Sequence, residues 1–102
     1  MHHDRVYVEP RKAKRGEKVQ VKYQGLLSNS GADQVWCHYG YDGWGNKTIT
    51  PMQRSEDGSF DCRIPAEGKK EINFCFKDSA NNWDDNSGWN WNCEIVSKGL
   101  LF

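Results

Sequence analysis

At 102 residues the chain has room for one domain with a single core and none for a second lobe. Lysine plus arginine equals aspartate plus glutamate at 14 each, which excludes a net field able to gather a phosphate backbone or an anionic membrane surface. Any ligand is therefore expected to be uncharged, and five tryptophans among 13% aromatic residues, with few strong helix formers, favour strands over helices.

The first residues, Met1, His2, His3, Asp4 and Arg5, form no apolar signal core, and no apolar run approaches a membrane span. Alternation at period two begins with Val6 and Val8, then Val19, Val21 and Tyr23 against Gln20, Lys22 and Gln24. Between these two strands, Arg11, Lys12, Lys14 and Arg15 read as a solvated turn before Gly16, since no aromatic is interleaved with them. The third strand sets Val35, Cys37 and Tyr39 on one face and Trp36 and His38 on the other, before Gly40 and Gly43 break the pattern.

A run from Lys47 to Gln53 follows, and Pro51, which cannot donate to a ladder, places it at a sheet edge. Phe60, Cys62 and Ile64 then alternate with Asp61 and Arg63. Ile72, Phe74 and Phe76 alternate with Asn73, Cys75 and Lys77, and Trp91, Cys93 and Ile95 with Asn90, Asn92 and Glu94. Seven short strands separated by turn signals predict an all-β, immunoglobulin-like β-sandwich of about seven antiparallel strands, forming one module over residues 1–102.

The four cysteines lie 25, 13 and 18 positions apart, without the C-x-x-C pair that zinc or redox chemistry favours, so neither a metal nor a cofactor is expected. Strand parity turns Cys37, Cys62 and Cys93 inward and Cys75 outward, which argues against a Cys37–Cys75 bridge and suits buried free thiols. With thiols and no export signal, the expected location is the cytoplasm, or outside the cell if the chain is a fragment of a secreted enzyme.

The informative residues are those the core does not need. Trp44 sits between glycines, and Trp83 and Trp89 sit among Asn81, Asn82, Asp84, Asp85 and Asn86. Indoles in polar loops expose apolar surface to water without packing return, which points to a ligand with flat apolar faces. A pyranose has such faces, and short amides and carboxylates suit its hydroxyls, although the same residues equally suit Asx turns that shape the loop. For Trp36 and Trp89, packing against a loop or closing an end of the sandwich is the better reading. A half-covered indole removes about 100 Å² from water, roughly 2 kcal/mol at about 25 cal/mol/Å². Two such rings predict a dissociation constant on the order of micromolar to millimolar.

Two segments, V-W-C-H-Y-G-Y-D-G-W from Val35 to Trp44 and F-C-F-K-D-S-A-N-N-W-D-D-N-S-G-W-N-W from Phe74 to Trp91, resemble the starch-binding modules of carbohydrate-binding module family 25 and its relatives. Pro51, Met52 and the D-G-S-F run from Asp57 to Phe60 fit the same pattern. The resemblance implies an immunoglobulin-like sandwich that binds α-1,4-glucan such as starch, glycogen or maltooligosaccharides. It implies no catalysis, and it suggests association with a larger amylolytic or glycogen-metabolising enzyme. It assigns the sugar platform to His38, Trp44 and Trp83, with Asp84 and Asn86 in the polar part of the motif. Asp85 stands where asparagine is usual, so it keeps acceptors but lacks the amide donor.

Two other classes compete. Glycoside hydrolysis needs two carboxylates about 5 to 9 Å apart across a cleft, whereas Asp84 and Asp85 are adjacent in one loop. A protein-interaction domain would instead use Trp36, Trp44, Trp83 and Trp89 as a hot-spot patch. Single-stranded nucleic acid also stacks on rings, but zero net charge disfavours it.

Overall fold

The alternating segments become strands in the computed structural model, which describes residues 6–86, 88 and 90–96. In chain order they are β1 (Val6–Glu9), β2 (Lys12–Lys14), β3 (Lys18–Tyr23), a single helical turn α1 (Leu26–Asn29), β4 (Val35–Tyr41), β5 (Gly45–Pro51), β6 (Gln53–Arg54), β7 (Phe60–Pro65), β8 (Glu71–Asp78), β9 (Trp83–Asp84) and β10 (Trp91–Val96). The smaller sheet runs β1-β3-β7-β6 and the larger β2-β10-β8-β4-β5, with β9 also pairing β8. Among the described residues the pairings are antiparallel except β2 with β10, so the opening segment is shared between the sheets, and the strand order is that of an immunoglobulin-type sandwich. The seven expected strands are the seven longest; β2, β6 and β9 are additions of two or three residues.

Two of these additions correct the sequence reading. Lys12–Lys14 is a strand and not a solvated turn: Ala13 is fully buried, and the flanking lysines point outward. Three residues with one small apolar member carry too little alternation to be recognised. The run expected from Lys47 to Gln53 is divided between sheets, because Met52 buries its side chain at the crossover and Gln53–Arg54 pairs β7 instead of β4. Its first part, β5, is an edge strand as Pro51 predicted.

The core lies between the sheets, filled by Val19, Val21 and Tyr23 from β3, Phe60 and Ile64 from β7, and Ile72, Phe74 and Phe76 from β8. Tyr23 stacks on Phe76 with centroids 4.3 Å apart, and Phe76 touches both Phe74 and Trp91 at 6.0 and 5.3 Å. Such large rings supply much of the buried area of a domain this size. Cys37 and Cys93 are buried inward and Cys62 packs against the core, while Cys75 alternates to the outer face. Burial first, and then hydrogen bonding to the Cys62 thiol, holds the Cys37 thiol well above its ordinary range.

Candidate functional site

Register defines an outward face on the larger sheet. One rung runs Pro51–Trp36–Lys77–Trp83 across β5, β4, β8 and β9, and the next runs Ile49–His38–Cys75. A third outward position pairs Gly40 with Asn73. His38 and Trp83 thus come from sequence positions 45 apart to contact each other edge to face, with centroids 4.6 Å apart and an interplanar angle of 62°. Trp83 remains 47% exposed, whereas His38 is half-buried. Desolvation, then the charge of Lys77, lowers the His38 pKa from its ordinary value, so the imidazole on this face is neutral near pH 7.

The local sequence explains why Trp83 faces outward. In β9 the side chains of Trp83 and Asp84 must take opposite sides, and Asp84 takes the inner one, where it is only 4% exposed. The Tyr23 hydroxyl donates to Asp84 Oδ2 at 2.6 Å and accepts the Leu27 N–H at 2.9 Å, tying β9 to β3 and α1 through the core. Ahead of β9, the Asp78 carboxylate accepts the backbone N–H groups of Ala80 and Asn82 and the Asn82 side-chain amide. These bonds, those from Asn82 foremost, lower the Asp78 pKa and set the turn that delivers Trp83.

The backbone of the Trp44 turn reaches the same face by a different route. Asn73, outward on β8, accepts the Gly43 and Trp44 N–H groups on one side-chain oxygen at 2.9 and 3.0 Å. The hairpin turn between β4 and β5 folds over Gly40 so closely that a Cβ there would stand 3.0 Å from the Trp44 Cα. Trp44 itself has φ +74°, a region that a bulky residue adopts only under constraint. The other side of the turn is clamped by Asp42, whose carboxylate accepts N–H groups from Lys69, Lys70 and Glu71; bonding to Lys69 and Lys70 leads in lowering its pKa. His38 lies two residues along β4 from Gly40, about 7 Å, so the Trp44 turn and the His38–Trp83 pair are neighbours.

The polar positions are not gathered around these rings in the same way. Asp84 faces the core. Asp85 is exposed, but its Oδ1 accepts the Gly88 N–H at 3.0 Å and its carbonyl accepts the Asn90 N–H at 2.7 Å. Asn86, at φ +57°, donates its side-chain amide to the Asn90 carbonyl and lines a groove between the sheet edges together with Phe74, Trp91 and Asn92. β9 and β10 both lie along the same side of β8, with Asp84 opposite Phe76 and Trp91 opposite Phe74. Trp89 lies outside the described residues.

Sequence reasoning did not single out Lys77, whose ammonium lies 5.6 Å from the centroid of the Trp36 ring, or Asn73, which carries the Trp44 turn. Both were legible as outward members of the β8 alternation; what was hidden was which strand they faced. Cys75, outward beside His38, is only 7% exposed, and its thiol is pushed up to about 11 by burial and then by the charges of Asp85 and Asp84. It serves as a small, protonated floor residue.

Comparison with known proteins bears on this face. Residues 19–74 match the profile of a starch/carbohydrate-binding module family, family 53, a stretch that contains His38 and Trp44 and ends before Trp83. The chain is 35% identical over 100 residues to an alpha-amylase of Clostridium acetobutylicum; the match covers 95% of this chain and 13% of that protein.

Proposed function

The chain belongs to the starch/carbohydrate-binding module family 53, a relative of the family 25 that its motifs resemble, and from that premise we propose that it binds α-1,4-glucan by stacking. Glucose rings lie on Trp83, His38 and the Trp44 turn. The observation that carries this reading is the half-exposed Trp83 indole set against a neutral imidazole on an otherwise ordered sheet face. Two stacked rings at roughly 2 kcal/mol each give binding on the order of micromolar to millimolar once association costs are met.

Polar contacts come from groups the loop leaves over, namely the second oxygen of the exposed Asp85, the His38 ring nitrogen and Lys77. Asp84 acts as a positioning residue behind Trp83. The module has no catalytic role of its own. Because the chain spans only about an eighth of the amylase it matches, we read it as a module that keeps a longer glucan-acting enzyme on its polymer.

Native electrophoresis in gels containing amylopectin tests the reading. The chain is expected to be retarded, and Trp83→Ala and Trp44→Ala proteins of unchanged circular dichroism are expected to run free. Unretarded wild type would refute glucan binding and favour a protein partner for the same rings.

A further inference from the structure

Across the strands, the outward face continues beyond the rings already assigned. Ile49 lies directly opposite His38 on β5 and is 58% exposed, more than Tyr7, Leu26 or Trp83 among the described residues. It stands on an edge strand, where bare apolar side chains invite pairing with other chains and are usually replaced by charge. A lone exposed isoleucine would mean little, but this one is contiguous with the His38–Trp83 pair. From β9 to β5 the face spans three strand spacings, about 14 Å, more than a single pyranose covers.

Resting on the glucan-binding reading, we propose that Ile49 is a third apolar subsite, which takes a further glucose unit of a longer α-glucan and makes affinity rise with chain length. The occupant is the same neutral chain, because the patch is continuous with the rings and lies between Thr48 and Thr50, without a carboxylate beside it on the strand. A branched aliphatic side chain offers only dispersion and dehydration, so it contributes less than an indole and does not orient the sugar.

The experiment titrates wild type, Ile49→Ser, Ile49→Trp and Trp83→Ala with maltotriose and with maltoheptaose. Ile49→Ser is expected to weaken maltoheptaose binding by about threefold to tenfold and leave maltotriose unchanged, and Ile49→Trp to tighten maltoheptaose alone. Equal affinities of the two Ile49 variants and wild type for maltoheptaose would overturn the subsite while Trp83→Ala still showed the rings at work. Equal losses for both sugars would place Ile49 in the primary site and refute the chain-length effect. Wild type that binds neither sugar would refute the glucan reading itself, and the subsite with it.

Discussion

Trp83 and the backbone of the Trp44 turn reach one face of one sheet by opposite means. Trp83 is aimed by its neighbour: Asp84 is fixed in the core by the Tyr23 hydroxyl, and strand parity does the rest. The Trp44 turn is set by its own backbone: Trp44 is held at φ +74°, the Gly43 and Trp44 N–H groups donate to Asn73, and Gly40 lies beneath. In the first arm the cost of presentation is borne by a buried polar group that is satisfied; in the second it is stored as local strain.

The largest expected difference between the arms is in stability. Asp84→Ala removes the carboxylate to which the fully buried Tyr23 hydroxyl donates, so unfolding in urea should show a loss of about 2–3 kcal/mol, accompanied by weaker glucan binding. Trp83→Ala should do the reverse, changing stability by no more than about 1 kcal/mol while cutting affinity about thirtyfold in a fluorescence or calorimetric titration. If the two variants lose stability equally, the division of labour within β9 is wrong.

Strain in the second arm is read by comparing Trp44→Gly with Trp44→Ala, both of which remove the indole. The glycine variant should be the more stable by about 1 kcal/mol, because only glycine takes this backbone without a Cβ clash. Equal midpoints in thermal melts would mean that the turn is not strained.

The smallest effect concerns His38. Its pKa in the fold lies below the ordinary 6.5, chiefly through desolvation, so as pH falls the unfolded chain takes up the proton first. His38 therefore reduces stability from about pH 6.5 downward and has no such effect above it, and glucan affinity should be flat between about pH 7 and pH 8. Its imidazole proton shifts should show a titration midpoint below 6.5 that falls further with bound glucan; a midpoint above 6.5 would contradict the assignment.

The sandwich was legible because Val19, Val21, Tyr23 and Ile72, Phe74, Phe76 alternate strictly against polar neighbours, and that pattern alone fixes the inward face. Alternation also placed Trp36 and His38 outward. It could not show that Lys12–Lys14 joins the last strand, or that Trp83–Asp84 is itself a strand, since two or three residues have no measurable period. The polar cluster around Trp83 could be read as sugar ligands or as turn formers. Asp84 went to the core, and Asp85 and Asn86 to the bonds that shape their loop, because a segment leaving and rejoining the same side of β8 must satisfy its own backbone. Ile49 escaped notice because nothing in a linear sequence says which strand faces His38.

The central claim is that ligand lies on the outward face of the larger sheet and not in the groove between the sheet edges. Amide chemical-shift mapping with maltoheptaose tests it most directly. Shifts are expected at His38, Trp44, Ile49, Cys75, Lys77 and Trp83, with Tyr7, Glu9, Gln20 and Lys22, the groove residues of the smaller sheet, unmoved. Shifts confined to those groove residues would contradict it.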